Sequence, residues 1–363
     1  MPQPHVVSVV QLPPPVTGLS AVNERVVRHL EDAGLLARKI DLAPPRSWPT
    51  RLKPVGRLLK TASAGVAMLG ARLGGARVLY MPCDGGAGLA FNTVLAVAAR
   101  VLGYELVTHH HSFAYLNEHS RLMQLFIEVS PRNTKHLMLC ERMGSMLDER
   151  YSAPLARRRH HMSVLPNAFM VDKATSDSPP PTAPLTIGHL SNLTEEKGAL
   201  RFLNIFARLR RLGVPVRALL AGPAKASSVE KAIAEVAAAF PEDFCWVGSV
   251  YGAEKERFYA AVDAFIFPSF YKNEAQPLVL LEAMAHGATL VSTGRGCMGC
   301  DHEDSPGVIL PENNFEAEAV DWLLRFAADF DRETSKSAAR ARFAAMKEEA
   351  DAALAAFLSS PSA

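Results

Sequence analysis

The 363-residue chain contains no uninterrupted apolar run of about 18 residues, the length a helix needs to cross a bilayer. The nearest stretch, Gly86 to Leu102, is broken by Asn92, Thr93 and Arg100 and reads as a buried helix. The opening Met-Pro-Gln-Pro-His lacks the charged segment that begins a secretory signal. Cysteine is scarce and odd in number, with Cys83, Cys140, Cys245, Cys297 and Cys300 scattered along the chain, so no disulfide framework is expected and a reducing cytoplasm fits. The lone Cys297-Met-Gly-Cys300, followed by Asp301 and His302, lacks the second ligand pair of a structural zinc site, so no metal is expected. Disorder is excluded by a hydrophobic content of 48% against 21% charged residues.

What is present is alternation. Short apolar runs recur at Val6–Gln11, Val78–Met81, Glu105–His109, His136–Leu139 and Ser163–Leu165. They recur again at Leu185–Leu190, Arg217–Ala221, Phe244–Val247, Ala264–Phe267 and Ala288–Ser292. Helix-like stretches separate them: Ser20–Ala33, Ala87–Leu102, Glu141–Tyr151, Gly198–Leu212, Val229–Phe240 and Pro277–His286. Such alternation predicts parallel sheets covered by helices on both faces. The Pro- and Ser-rich Asp172–Pro184 carries no apolar periodicity and reads as a linker. The expected α/β architecture is therefore two Rossmann-like, doubly wound domains, 1–171 and 185–363, facing a cleft. Ligands in such sheets bind at the carboxyl ends of the strands. From about Asn314 the chain is Ala-rich and helical, and its last helix is free to cross back.

The net charge of +2 conceals an asymmetry. Residues 1–170 hold 20 Lys and Arg against 11 Asp and Glu; the remainder holds 19 against 26. A basic first half suits an anionic partner or simply a solvated face. Arg46, Arg51, Lys53, Arg57, Lys60, Arg72 and Arg77 are interspersed with Trp48, Leu58, Leu59, Val66, Met68 and Leu69. That pattern fits peripheral contact with an anionic membrane, or a helix packed on a sheet.

The most informative stretch runs from Phe267 to Gly287. Glu274 and Glu282 are separated by seven residues, and Pro277 suits a first helical turn. Glu274 then lies in the loop before a helix and Glu282 in its second turn, with free N–H groups near Leu278 and Val279 between them. A helix N-terminus favours a diphosphate. A carboxylate beyond it can accept bonds from ribose hydroxyls, and one before it can accept bonds from a sugar. The proposal requires both acids to be free of internal ion pairs.

At these residues the chain resembles the GT-B glycosyltransferase family often designated family 4, whose hallmark is Glu-x7-Glu. The resemblance implies that Glu282 binds the ribose and Glu274 the donor sugar, and that Ala275-Gln276-Pro277 departs from the common form. A second match, Leu190 to Gly198, places Lys197 where the family neutralises the leaving diphosphate; the upstream basic position is Asn192. Lys272 is a further candidate cation. Val250 and Tyr251 stand where family members hold the nucleobase.

On the acceptor side, Gly18 and Leu19 resemble the family's Gly-rich first loop, and in Thr108-His-His-His-Ser-Phe-Ala-Tyr115 a strand would put His109 and His111 on one face. His111 aligns with a family His that faces the donor sugar; His109 and Ser112 lie beside it. A triple His also suits metal binding or core hydrogen bonding. The resemblance implies a retaining, metal-independent hexosyl transfer from a nucleotide sugar to a glycan or lipid-linked acceptor in cell-surface polysaccharide synthesis, with no cofactor and no nucleic acid. Two alternatives stay open: a sugar-nucleotide epimerase, and a non-catalytic GT-B scaffold, which the uncharged Asn192 would suit.

Overall fold

The computed structural model describes residues 5–14, 17–43, 53–174, 184–301 and 305–359. Arg46, Trp48, Arg51, most of the linker and His302 lie outside the described residues, as does the side chain of Lys53. The chain divides into two compact units: Met1–Met170 with Ala350–Ala363, and Val171–Glu349.

The first unit is built on six parallel strands: β1 Val6–Val10, β2 Leu36–Asp41, β3 Val78–Cys83, β4 Glu105–His110, β5 Lys135–Met138 and β6 His161–Val164, in the order β2-β1-β3-β4-β5-β6. Its principal helices are α1 Gly18–Asp32, α2 Lys53–Leu73, α3 Gly88–Val101, α4 Ala114–Asn117, α5 Arg121–Val129 and α6 Glu141–Arg158. The central β1 and β3 are buried along their whole length, as strands covered on both faces must be. β2, Leu-Ala-Arg-Lys-Ile-Asp, is an edge strand with mostly exposed side chains, so it carries no apolar run to announce it.

Three histidines link neighbouring strands of this unit. Tyr115 Oη lies 2.7 Å from His110 Nδ1, His110 Nε2 lies 2.8 Å from His136 Nδ1, and His136 Nε2 lies 2.9 Å from His160 Nδ1. The chain ends with His160 Nε2 at 3.1 Å from the Pro131 carbonyl. A carbonyl can only accept, so with neutral rings the direction is set throughout: each Nε2–H donates onward, each Nδ1 accepts, and Tyr115 donates to His110. Burial keeps the rings neutral, pushing His110 down to about 3 and His160 to about 4.

The second unit holds β7 Leu185–Leu190, β8 Val216–Ala221, β9 Phe244–Trp246, β10 Ala264–Phe267, β11 Thr289–Thr293 and β12 Val308–Leu310, all parallel, in the order β12-β11-β10-β7-β8-β9. Around them lie α7 Ala199–Arg211, α8 Ser227–Ala239, α9 Ala253–Ala261, α10 Leu278–Ala285, α11 Met298–Asp301 and α12 Phe315–Ala328. Ile187, Phe202, Phe206, Ala218, Ile266, Val291, Phe315 and Leu323 share one core; each large apolar side chain contributes about 1.5–3 kcal/mol on burial. The final helix, α13 Arg332–Ser359, starts in this unit, and its residues from Ala350 group with the first. Arg332 anchors its start by donating from Nε and Nη2 to the buried Asp263, each at 2.8 Å.

Candidate functional site

In the second unit two loops at the carboxyl ends of strands carry the candidate donor residues. The loop after β7 holds Asn192 and Lys197; the loop after β10 holds Ser269, Tyr271 and Glu274 and leads into α10. What brings the loops together is a glycine. Gly198 has φ +84°, and a Cβ there would stand 2.5 Å from Pro268 Cγ and 2.6 Å from its carbonyl oxygen. The Lys-Gly pair is thus explained: the glycine permits the approach that sets Lys197 against Glu274.

Lys197 Nζ donates to Glu274 Oε2 at 2.5 Å, and Ser269 Oγ donates to the same oxygen at 3.0 Å. The ammonium also lies 4.8 Å from the Tyr271 ring centroid. Behind Glu274 the backbone rests on Gly296, at φ +57°, where a Cβ would collide with the carbonyls of Glu274 and Ala275. Cys297 N–H then donates to the Ala275 carbonyl at 2.8 Å. Gln276 is buried and donates to Asp301 Oδ1 at 2.6 Å; burial raises the Asp301 carboxyl to about 7, against the lowering effect of Gln276.

The helix begins one residue later than the sequence suggested. Pro277 is its N-cap, with ψ 122°, and Leu278 its first residue. Glu282 still falls in the second turn. The amides of Leu278 and Val279 head the helix, outside its internal ladder.

One requirement of the sequence reading fails. Neither acid is free of an internal ion pair: Glu274 is held by Lys197, and Glu282 Oε1 accepts from Lys255 Nζ at 2.6 Å while Tyr259 Oη donates to Oε2 at 2.8 Å. The cause is burial. The Glu274 side chain is only 9% exposed and that of Glu282 17%, and carboxylates so withdrawn from water take the nearest donors. Lys255 and Tyr259 of α9, and Ser269, were not singled out from the sequence. Lys255 and Tyr259 form no local pattern with Glu282 and reach it only through the packing of α9 against α10, whereas Ser269 stands five residues before Glu274 in the same loop.

Of the other expected positions in this unit, Asn192 is exposed and uncharged, Lys272 is exposed, and Tyr251 is 72% exposed just ahead of α9, next to Val250. In the β8–β9 region Trp246 Nε1 donates to the Gly222 carbonyl at 3.0 Å, pinning the loop that precedes Val250. His189, at the end of β7, donates from Nδ1 to the Ile266 carbonyl at 2.8 Å and is pushed down to about 4, chiefly by burial and secondarily by Lys197.

In the first unit, Gly18 and Leu19 open α1 beside the cap of Thr17, whose Oγ1 accepts from Ser20 N–H at 3.1 Å. A Cβ on Gly18 would meet nothing, so this glycine is not required by space. His109 is fully buried, with Nδ1 at 3.1 Å from Tyr80 Oη; its ring centroid is 4.1 Å from that of His111. Both rings thus share a face, and the Nε2 atoms of both are buried without a hydrogen-bond partner. Burial pushes His109 down to about 4 and His111 well down. Ser112 Oγ accepts from Ala114 N–H at 3.2 Å. Of the three consecutive histidines, His110 belongs to the buried chain.

Among the described residues no group of three or more His, Cys, Asp and Glu could hold a metal ion. An Asp329-Phe-Asp331 triplet does occur, and there Asp331 Oδ1 accepts from Thr334 N–H at 2.8 Å in the first turn of α13. Among the described residues no helix is long and apolar enough to cross a membrane.

Residues 184–329 match the family described as glycosyl transferases group 1. No curated protein matches the chain. Among solved structures, a sucrose-phosphate synthase from Thermosynechococcus elongatus superposes with TM-score 0.69 at 15% identity, covering 94% of each chain. HepE of Anabaena, solved in complex with UDP-glucose, gives TM-score 0.64 at 14% identity over 97% of this chain and 99% of its own. A glycosyltransferase from Rickettsia africae gives TM-score 0.62 at 14% identity over 98% of this chain and 97% of its own. At these identities the likeness establishes the fold, which is GT-B.

Proposed function

We propose that the chain is a nucleotide-sugar-dependent glycosyltransferase whose donor is held at the junction leading into α10. One observation carries the reading: Glu274, Ser269 and Lys197 converge ahead of a helix N-terminus whose second turn presents Glu282. The match of residues 184–329 to group 1 glycosyl transferases supports it. The requirement that both acids be unpaired is not met and is given up: Lys197, the partner of Glu274, is itself the cation assigned to the diphosphate. A phosphate oxygen competes with Glu274 for that ammonium, and sugar hydroxyls then replace the ammonium on Glu274. Lys255 donates to only one oxygen of Glu282, so it need not leave for hydroxyls to bind there.

The roles follow. Lys197 with the Leu278 and Val279 amides stabilises the leaving diphosphate. Glu274 orients the donor sugar, Glu282 accepts from the ribose, and Val250 and Tyr251 flank the base. His111, with His109 and Ser112, serves the acceptor side, and Gly18 and Leu19 lend backbone amides to phosphate. Retention at the anomeric carbon, metal independence and a hexose donor rest on resemblance to family 4. The acceptor class is a hydroxyl of a glycan or lipid-linked saccharide. Peripheral attachment at the inner face of a membrane is part of this proposal. Leu58, Leu59, Val66, Leu69 and Leu73 of α2 are exposed, and between Asp41 and Glu105 the one acid, Asp84, is already paired with Arg57.

Transfer or hydrolysis of an NDP-sugar by the purified protein, lost in Glu274→Ala, is the expected result; no turnover of any NDP-sugar favours the non-catalytic scaffold, the second reading that the uncharged Asn192 supports.

A further inference from the structure

We propose that Tyr259 is a positioning residue of the donor site, and that it turns Glu282 into an acceptor with one free lone pair on each oxygen, matched to two neighbouring ribose hydroxyls. The inference rests on the donor-site reading above and deepens it.

The geometry runs as a stack. Tyr259 lies in α9 and is completely buried, with its ring 5.5 Å from that of His286 at an interplanar angle of 28° and 5.9 Å from that of Phe265. His286 in turn approaches the Glu282 carbonyl oxygen with Nδ1 at 2.8 Å and Glu256 Oε2 with Nε2 at 2.8 Å. The Tyr259 ring is thus packed among these neighbours, and its hydroxyl meets Glu282 Oε2 at 2.8 Å. Burial and the adjoining carboxylate push the Tyr259 hydroxyl far above its ordinary value, so it remains a donor at every relevant pH.

An ionised carboxylate offers about four lone-pair sites. Tyr259 occupies one on Oε2 from the buried side and Lys255 one on Oε1. One site on each oxygen is left, which is the pattern that two vicinal hydroxyls satisfy together. A glutamate side chain has three rotatable bonds, and among the described residues Tyr259 supplies the hydrogen bond that holds Oε2. The competing explanation is that Tyr259 is a core residue whose hydroxyl uses Glu282 as a convenient acceptor. In that case its loss affects folding alone.

The test compares wild type, Tyr259→Phe, Glu282→Gln and the double variant by calorimetric titration with UDP, GDP and ADP and with the dideoxy analogue of each, which lacks both ribose hydroxyls. Phenylalanine keeps the ring stack, and Glu282→Gln reports on the same contact should Tyr259→Phe fold poorly. We expect the best-bound diphosphate to lose about tenfold in affinity on Tyr259→Phe, the size of one hydrogen bond to a charged group. Its dideoxy analogue should lose less than twofold, and Tyr259→Phe should add little in the Glu282→Gln background. Equal losses for the ribose and dideoxy forms, or no loss for either, overturn the positioning role while leaving donor binding intact. A wild type that binds none of the diphosphates overturns the donor site itself, and the positioning role with it.

Discussion

Lys197 and Glu274, 77 residues apart in sequence, are each other's partners at 2.5 Å, although one is assigned to the diphosphate and the other to the sugar. The pair separates stability from catalysis. Lys197→Met leaves a nearly buried carboxylate without its cation, at a cost of about 1–3 kcal/mol, and lowers transfer about 100- to 1,000-fold. Lys197→Met combined with Glu274→Gln removes the orphaned charge. Its urea midpoint should return toward wild type while transfer stays abolished. A double variant as unstable as Lys197→Met alone would show that the pair is not what holds the loops.

Gly198 and Gly296 predict a different failure. Alanine at either position meets a backbone carbonyl and adopts a left-handed φ, so the loops carrying Lys197 and Glu274 must part. We expect Gly198→Ala to lower thermal stability by the ~1–3 kcal/mol typical of local backbone strain, and to reduce donor affinity with it. Gly65→Ala in α2, where a Cβ meets nothing, is the control and should bind donor normally. Equal effects at Gly65 and Gly198 would remove the steric explanation.

These contrasts mark what was legible in the chain. The junction around Glu274, Pro277 and Glu282 was readable because it is local: spacing, a proline and an apolar run define it within about 20 residues. Both sheets were readable from their buried central strands. The edge strands β2 and β12 were not, since half-exposed strands carry charged or short sequences. Tyr259 and Lys255 escaped for another reason. They come from α9, and only the packing of α9 against α10 makes them partners of Glu282. The ion pairs escaped because burial cannot be read from spacing, and burial is what makes each acid seek a cation.

Acid should destabilise the protein. His109 and His189 are fully buried and held down to about 4, and His110 to about 3, whereas an unfolded histidine titrates near 6.5. Below pH 6.5 the unfolded chain takes up protons that the folded chain refuses, so stability falls as pH drops from about 6.5 toward 4. Each fully buried imidazole contributes a loss of about 2 kcal/mol by pH 5. Guanidinium midpoints at pH 7.5 and pH 5 measure it; midpoints that do not move would mean the rings are protonated as readily folded as unfolded. Nitrogen chemical shifts of the ordered chain should show His110, His136 and His160 all protonated at Nε2.

The exposed face of α2 predicts membrane contact. Replacing Leu59 and Val66, both exposed, with Glu places acids in an apolar and basic surface. Flotation with vesicles containing anionic lipid should show binding by wild type, about tenfold weaker binding by the double variant, and weaker binding of wild type at high salt. Both proteins should bind NDP-sugar equally. Equal flotation of the two would take α2 out of the account.

The most direct test of the account is a thermal-shift panel of UDP-, GDP- and ADP-sugars on wild type, Glu274→Ala and Glu282→Ala. At about 100 times its dissociation constant, a true donor should stabilise wild type by about 2.7 kcal/mol, and both variants should lose that gain. A panel that leaves wild type unmoved, or a shift that survives in both variants, would contradict a donor held at the start of α10.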